Sequence, residues 1–202
     1  MQAKMTRNRQ ARAEATRKAL LDAAYALFTE HGYAGTSTPE ICALAGITRG
    51  ALYHHFADKQ DLFRAVLERE AKSVADEIRR LAPDTLDGRE ALAAGSIAYL
   101  DAMARPGRTR LLLVEGPTVL GADEAAAIDA RNAAATLEAG LDDAIEDPGV
   151  DIASLARLVS AAFDRAALEI DGGREVDETR AAMLWLLGRI LDGPRRHRAS
   201  GR

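Results

Sequence analysis

The sequence predicts an all-α fold, and three observations support this prediction. Ala and Leu dominate the 202 residues, whereas aromatic residues, which favour strands, make up only 4%. Apolar residues recur three and four positions apart, as at Leu20, Ala24, Leu27 and Phe28, which is the spacing of one helix face. Glycine or proline follows most of these periodic segments and marks where helices end. A hydrophobic share of 48% provides enough apolar side chains for a buried core.

Helix-start and helix-stop signals define the individual elements. Thr38 and Pro39 suit the start of a short helix, because threonine caps free amides and proline at the first helical position loses no hydrogen bond. Thr48 can cap a third helix, and Asp58 can cap a long fourth one. Residues 109–121 are apolar but contain a Gly-Pro pair, which predicts a short helix, a break and a turn. Apart from this short helix, the predicted helices cover residues 14–31, 38–45, 48–55, 58–81, 88–105, 122–146, 151–171 and 175–192.

These elements predict two helical domains between irregular ends. Residues 1–13 are basic and have no apolar periodicity, which predicts a flexible arm. Residues 14–57 form the first domain, with three helices, and residues 58–193 form the second. The polar composition of residues 194–202 predicts a disordered tail.

Charge is unevenly distributed between the two parts of the chain. Residues 1–60 contain eight Lys/Arg and five Asp/Glu, whereas the remaining residues contain 19 and 26. This distribution favours an N-terminal part that faces a polyanion. Cys42 is the only cysteine, so no internal disulfide can form, and no segment reaches the roughly 18 uninterrupted apolar residues of a membrane span. We therefore expect a cytoplasmic protein without a membrane partner.

The stretch TPEICALAGITRGALYHHF, residues 38–56, has the layout of two helices joined by a tight turn. Cys42 is a small residue where the helices would cross, and Gly46 can adopt the left-handed conformation of a sharp turn. Leu52 and Phe56 lie four positions apart and are expected to face inward. In a helix-turn-helix the second helix enters the major groove of DNA. Its outward residues here include no acid that would repel phosphates. They are Thr48, Arg49, Gly50, Ala51, Tyr53, His54 and, at the edge, His55.

Residues 32–63, GYAGTSTPEICALAGITRGALYHHFADKQDLF, resemble the DNA-binding domain of the TetR (tetracycline repressor) family of bacterial regulators. The shared features are the Gly-Tyr-x-x-Thr opening, the Ala-Gly-Ile turn, the Gly-x-Leu-Tyr-x-His-Phe helix and the lysine after it. The preceding segment ALLDAAYALFTEHGY resembles the family's first helix. The resemblance is specific over residues 14–67. It implies a homodimeric transcriptional regulator, expected to be a repressor that a small-molecule effector releases from a near-palindromic operator.

The resemblance also implies a role for each residue of the DNA-facing surface. Arg49 is expected to recognise a guanine, and the absent side chain of Gly50 lets the backbone approach DNA closely. The implied base contacts are Thr48, Arg49, Gly50 and Ala51, the implied phosphate contacts are Thr38, Tyr53, His55 and Lys59, and His54 could reach either.

The second domain is expected to bind the effector and to dimerise. Its last two helices are apolar around most of their circumference, and a second copy of the same surface is the simplest cover. The alternative is that they are central helices of one core. Few aromatics and an Ala/Leu-rich composition favour an apolar effector. The candidate interface residues are Leu155, Leu158, Ala162, Met183, Leu186, Leu187 and Ile190. The candidate pocket residues, for which plain core packing is the favoured alternative, are Met103, Leu112, Leu113 and Phe163.

No motif predicts an enzyme, a cofactor or a metal site. The sequence has no nucleophile elbow, phosphate-binding glycine loop or His-Glu-x-x-His. Adjacent helical residues such as His54 and His55 point about 100° apart, so they cannot serve as side-by-side ligands of one metal. Two alternatives stay open: a helical module that binds protein instead of DNA, and an activator of the same family.

Overall fold

The computed structural model describes residues 2–83, 85–146 and 148–192. Within these residues the chain forms ten α-helices and no strand, which confirms the predicted all-α fold. Those helices include none with the length and apolar character of a membrane span. The tail predicted at 194–202 lies outside the described residues. The helices are α1 (Gln2–Gly35), α2 (Thr38–Ala45), α3 (Arg49–His55), α4 (Lys59–Leu81), α5 (Gly88–Met103), α6 (Gly116–Leu120), α7 (Ala122–Ala130), α8 (Ala133–Ala144), α9 (Ile152–Asp171) and α10 (Val176–Asp192), with a π-helical turn, Arg110–Glu115, before α6.

Helix α1 begins at Gln2, which differs from the flexible arm expected for residues 1–13. The side chains from Arg9 to Ala15 are exposed, so this part of the helix has no apolar face that a sequence pattern could reveal. Ala, Arg and Gln are nevertheless strong helix formers, and extending an existing helix requires no new nucleus. The missing periodicity therefore indicated exposure, not irregular backbone.

The helix predicted at 122–146 is divided into α7 and α8. The backbone of Asn132 has φ −127° and ψ −108°, outside the helical region. The amide of Asn132 donates to the carbonyl of Asp129 at 2.8 Å and closes a turn between the two helices. Asn is a poor helix former, but its Ala-rich neighbours concealed this break in the sequence.

The helices form two compact units, each made from two separate chain segments. The first unit comprises Met1–Ala71 and Pro106–Ile128, and the second comprises Lys72–Arg105 and Asp129–Arg202. The sequence predicted continuous domains because its signals are local, whereas Leu111 returns to the core of the first unit through a contact distant in sequence.

The core of the first unit is built on α1 to α4 and the π-helical turn. Phe28 and Phe63 meet edge to face with their ring centroids 5.1 Å apart, and Tyr33 meets Phe63 at 5.0 Å. Such aromatic pairs add specific geometry to the burial of apolar area. The other large side chains that are almost fully buried there are Leu20, Ile41, Leu52, Leu62, Val66 and Leu111.

Gly32 allows α1 to change direction before the helix-turn-helix begins. Its φ of 74° lies in the left-handed region, where side chains other than that of glycine are strained. A Cβ at this position would also lie 2.7 Å from the Glu115 carboxylate. The other oxygen of that carboxylate accepts a hydrogen bond from the Tyr33 amide at 2.8 Å. Glu115 thus satisfies the backbone at the bend that Gly32 makes possible.

A buried ion pair joins distant segments of the first unit. The Arg108 guanidinium donates to the Glu70 carboxylate at 3.1 Å, and both side chains are buried. Arg69 lies 3.4 Å from the second oxygen of Glu70 and 2.7 Å from the Asp22 carboxylate. Because a buried charge is costly without a partner, this network fixes the first turn after Gly107 against α4.

The second unit has its core between α5, α8, α9 and α10. Phe163 lies edge to face with Tyr99, with ring centroids 5.7 Å apart. Arg180 at the start of α10 forms an ion pair with Asp101 of α5. The buried core residues are Leu92, Leu100, Leu141, Ala156, Val159, Phe163, Ala166, Met183 and Leu187.

Candidate DNA-binding surface and ligand cavity

Helix α2 begins with a reciprocal capping box. The Ser37 hydroxyl accepts from the Glu40 amide at 3.4 Å, and the Glu40 carboxylate accepts from the Ser37 amide at 2.8 Å. The cap is therefore Ser37 and not Thr38, which corrects the predicted start by one residue. The Ser-x-x-Glu spacing carried this signal in the sequence. Since Thr38 is not used as the cap, its hydroxyl is available on the surface.

The turn between α2 and α3 has the geometry that the sequence predicted. Gly46 ends α2 with a left-handed φ of 67°, and the Ile47 amide donates to the Cys42 carbonyl at 3.0 Å. The Thr48 hydroxyl caps α3 by accepting from the Ala51 amide at 3.3 Å. Cys42 is buried in the core, as expected for a small residue at the helix crossing.

Helix α3 separates an inward face from an outward one. Leu52 and Phe56 are buried in the core, which confirms their predicted orientation. On the opposite side, Arg49 is exposed and Tyr53 retains 46% of its accessible surface. The other outward residues of this helix-turn-helix are Thr48, Gly50 and His54, while Thr38, Ala51 and His55 are half-buried.

Thr38, Arg49 and Tyr53 form a hydrogen-bonding cluster on this outward face. The Tyr53 hydroxyl lies 3.4 Å from the Thr38 hydroxyl, so α2 and α3 share a polar contact across the turn. Hydrogen bonds from Thr38 and Arg49 lower the pKa of the Tyr53 phenol. The three side chains therefore present their hydrogen-bond donors together on one surface. The predicted contacts to phosphates and bases need such donors.

Lys59 is part of the local structure as well as a candidate DNA contact. Its ammonium donates to the carbonyl oxygens of Tyr33 and Thr36 at 2.8 and 2.9 Å. It also lies 4.0 Å from the centroid of the Tyr33 ring. These bonds use two of its three donors and hold the segment between α1 and α2 on α4. The predicted phosphate contact would use the third donor.

We expect Lys59→Ala to lower both stability and DNA affinity. Loss of two charge-assisted hydrogen bonds should reduce the free energy of unfolding by roughly 1–2 kcal/mol. Loss of one phosphate contact should weaken all duplexes alike and reduce the slope of log affinity against log salt by about one. Urea unfolding and anisotropy titrations at several salt concentrations measure the two effects.

Lys72→Ala is the matched control for Lys59, because Lys72 is an exposed lysine of the same helix that pairs with the exposed carboxylate of Asp76. Exposed pairs contribute little to stability, so neither measurement should change by much. An unchanged salt slope for Lys59→Ala would assign Lys59 to structure alone.

Two segments of the chain match known families. Residues 20–66 match bacterial regulatory proteins of the tetR family, and residues 89–194 match the tetracyclin repressor-like C-terminal domain. The second match alone covers more than half of the chain. The chain belongs to the TetR family. It is therefore a DNA-binding transcriptional regulator, as the resemblance implied, and not an enzyme.

The TetR-family chain is similar to regulators of several bacteria. It is 36% identical over 110 residues to the HTH-type transcriptional regulator AcrR of Shigella flexneri, covering 54% of this chain and 51% of that protein. It is 31% identical over 167 residues to the HTH-type transcriptional activator FasR of Mycolicibacterium smegmatis, covering 80% of this chain and 75% of that protein. The match thus spans about half the length of AcrR.

Solved structures share the fold of this TetR-family chain. A TetR-family transcriptional regulator from Pectobacterium atrosepticum superposes with a TM-score of 0.68 at 30% identity, covering 88% of this chain and 93% of that one. FadR from Bacillus subtilis, in complex with stearoyl-CoA, has a TM-score of 0.72 at 17% identity and covers 84% and 96%. At 17% identity, the similarity to FadR shows only that the two proteins share a fold.

The second unit of the TetR-family chain contains a cavity of about 550 Å³. Its walls are mainly apolar and come from the end of α4 and from α5, α8 and α9, including Ile78, Leu92, Leu137 and Phe163. This volume suits a small organic ligand. The polar groups on its wall are Arg79, Ser96, Tyr99, Thr136, Asp143 and Ser160.

The four candidate pocket residues are placed differently by the structure. Phe163 lines the cavity of the second unit. Met103 is buried in that unit but is not among the lining residues. Leu112 and Leu113 belong to the first unit, where Leu112 packs on the core. Apolar position within a helix could not separate these cases, because core and cavity residues have the same sequence pattern.

The candidate interface residues of α9 and α10 also divide into two groups. Leu158 and Leu186 are exposed, with 73% and 36% of their surface accessible. The others contribute to the core of the second unit: Met183 and Leu187 are buried, and Leu155, Ala162 and Ile190 are half-buried. Trp185, which the sequence pattern did not single out, is 63% exposed and is the only tryptophan of the chain. Its position next to Leu186 in an apolar helix was the available signal.

Two half-buried carboxylates, those of Asp129 and Asp164, lie beside the cavity and were not singled out in the sequence. The Tyr99 hydroxyl donates to Asp164 at 2.6 Å, and the Ser160 hydroxyl lies 3.5 Å from Asp129. Burial and the nearby charge of Asp164 raise the pKa of Asp129 to about 6. Hydrogen bonds from Ser160 and the Ala134 amide lower this pKa but do not offset the increase. Burial also raises the pKa of Asp164, and burial with the Asp164 charge raises the pKa of Tyr99.

We expect Asp129→Asn to stabilise the protein at neutral pH but not in acid. The raised pKa means that the folded state binds the Asp129 proton more tightly than the unfolded chain, whose value is near 3.8. Ionised Asp129 therefore costs stability above about pH 6, and that cost disappears as the pH falls toward 4. Removing the charge should raise the free energy of unfolding by roughly 1–2 kcal/mol at pH 7.5 and by much less at pH 4.5.

Chemical unfolding at both pH values measures the effect of Asp129→Asn. Asp142→Asn, an exposed acid on α8, is the matched control and should have little effect at either pH. An equal effect of Asp129→Asn at the two pH values would contradict a raised pKa.

Within the described residues, no group of three or more His, Cys, Asp or Glu side chains is arranged to hold a metal ion. The rings of His54 and His55 lie 5.6 Å apart in an edge-to-face arrangement on the outward side of α3. Both stay candidate DNA contacts beside Tyr53.

Proposed function

We propose that this TetR-family regulator is a homodimeric repressor that binds a near-palindromic operator and leaves it when a small molecule binds. The observation that carries the proposal is the outward face of α3, where Arg49 and Tyr53 are exposed opposite the buried Leu52 and Phe56. A helix with this division can enter the major groove while its other face stays in the core.

Each exposed group of this face has a proposed partner on DNA. Arg49, in the first turn of α3, reads a guanine through its bidentate donors, and Gly50 lets the helix approach the bases. Tyr53 and Thr38, held together across the turn, contact phosphate oxygens. The full proposed set is Thr38, Thr48, Arg49, Gly50, Ala51, Tyr53, His54, His55 and Lys59.

The exposed apolar side chains of α9 and α10 support dimerisation. Leu158 on α9 and Trp185 and Leu186 on α10 are large apolar side chains that stay exposed in one copy of the chain, as side chains at an interface do. Two such helices from each copy would make an isologous interface of four helices. We therefore propose Leu158, Trp185 and Leu186 as the centre of the interface, with the half-buried Leu155, Ala162 and Ile190 at its base.

The cavity of the second unit is the proposed effector site. A bound effector can release DNA only if it binds more tightly to the conformer that has low affinity for the operator, because equal affinity for both conformers shifts nothing. Phe163 is the pocket candidate that this assignment retains.

Run-off transcription tests the sign of regulation directly. A promoter that contains the bound sequence is transcribed with and without the purified regulator, and repression predicts a decrease in transcript. An increase would support the second candidate function, an activator, which the similarity to the activator FasR favours. No change in transcript despite DNA binding would contradict both.

A further inference from the structure

The wall of the cavity in the second unit carries an aromatic pair. Tyr99 and Phe163 both line the cavity, and their rings meet edge to face with centroids 5.7 Å apart. Aromatic faces attract organic cations, most strongly where water is excluded. This pair provides apolar contact area and a surface that favours positive charge.

Two carboxylates lie directly behind this wall. Asp164 accepts the hydrogen bond of the Tyr99 hydroxyl at 2.6 Å, and Asp129 is 3.5 Å from the hydroxyl of Ser160, which also lines the cavity. In the part of the chain that the structure describes, no Lys, Arg or His contributes to lowering the pKa of either carboxylate. Burial makes the ionised form of each carboxylate costly, and the charge of Asp164 adds to that cost for Asp129. A nearby cation would relieve it.

The remaining charges around the cavity do not offset these acids. Arg79 lines the cavity but is exposed, and its guanidinium is paired with Asp76 at 2.9 Å. Asp143 adds a further carboxylate to the lining. The cavity wall is therefore mainly apolar, with two carboxylates behind Tyr99 and Ser160.

We propose that this cavity takes a monocationic ligand with an apolar body, an organic ammonium, whose charge lies against Tyr99 and the Asp129–Asp164 pair. The inference rests on the proposed function, because it assigns a ligand class to the proposed effector site. An anionic ligand of the same size would bring like charge into a site with a low dielectric constant, and a neutral one would gain apolar burial alone.

Three ligands that share a ten-carbon apolar chain but differ in the charge of their head group test this ligand class. Decyltrimethylammonium, decanol and decanoate are titrated into the full-length protein at pH 7.5 by calorimetry. The quaternary head cannot lose its charge, so any pH effect belongs to the protein. We expect the ammonium to bind at least about tenfold more tightly than decanol, and decanoate to bind more weakly than decanol. Equal affinities, a preference for decanoate or no binding of the ammonium would overturn the proposal.

Asp164→Asn locates the source of the preference. Asparagine keeps an acceptor for the Tyr99 hydroxyl but removes the charge, so the ammonium should lose about tenfold in affinity while decanol binds as before. The control Asp142→Asn makes the same change on the exposed face of α8 and should alter neither affinity. If Asp164→Asn does not fold, Asp129→Asn provides the second test, with the same expected loss. Retention of the full preference in the folded variants would overturn the proposal.

Operator binding, measured in the same samples, separates this inference from the proposed function. If the ammonium binds in an Asp164-dependent manner but leaves the operator complex unchanged, the ligand class stands and the effector role fails. If the operator is bound normally and the ammonium does not bind, the ligand class fails and the DNA-binding function stands.

Discussion

Leu158→Glu should convert the dimer into a monomer and weaken operator binding at least about 100-fold. Leu158 is 73% exposed on α9, and in an isologous interface each substitution acts twice. Burying two carboxylates without partners costs more than the apolar contacts of this face can offset. A monomer then holds one half-site and loses the gain from simultaneous binding, which is typically 10²- to 10⁴-fold.

Sedimentation at micromolar concentration and anisotropy with an operator duplex measure the two effects of Leu158→Glu. Val150→Glu is the matched control, because Val150 is 59% exposed but lies before α9, outside the proposed interface. This variant should remain a dimer with normal affinity. A stable dimer of Leu158→Glu, or equal dissociation of Val150→Glu, would contradict the proposed interface.

Arg49→Ala should cost roughly 1–3 kcal/mol of operator binding and relax the sequence preference at one position of each half-site. Arg49 is exposed in the first turn of α3, where the hydroxyl of Thr48 fixes the start of the helix. A guanidinium in this position can donate two parallel hydrogen bonds to one guanine, and alanine can make neither.

Arg49→Lys separates base recognition from simple attraction to phosphate. Lysine keeps the charge but not the planar pair of donors, so the sequence preference should still weaken while the salt dependence stays close to normal. Arg80→Ala, which removes one exposed charge from the second unit, is the control and should change neither property. An unchanged preference in Arg49→Ala would exclude base recognition by Arg49.

The helix-turn-helix was predictable because each of its signals is local. Gly46, Thr48 and Leu52 each act within one turn of their own helix, and the structure places all three as the sequence indicated. The predicted cap of α2 was one residue too late, because Ser37 and Glu40 form a reciprocal capping box that Thr38 cannot form.

The features that the sequence could not reveal depend on contacts between distant residues. Glu115 reaches the Tyr33 amide across 82 positions, and the partner of Asp164 is Tyr99, 65 positions away. No periodicity distinguishes such acids from the many that cover solvated helix faces. The pocket candidates failed to separate for the same reason, since Leu112 and Phe163 have similar surroundings in sequence but lie in different units.

Selection of bound sequences from random duplex DNA tests the central claim, that the outward face of α3 reads DNA as part of a dimer. The wild-type protein should enrich a near-palindrome whose two half-sites are centred about one helical turn apart, and Arg49→Ala should lose the enrichment at one symmetric pair of positions. Failure to enrich any sequence in dilute buffer, or enrichment of one without two-fold symmetry, would contradict the account.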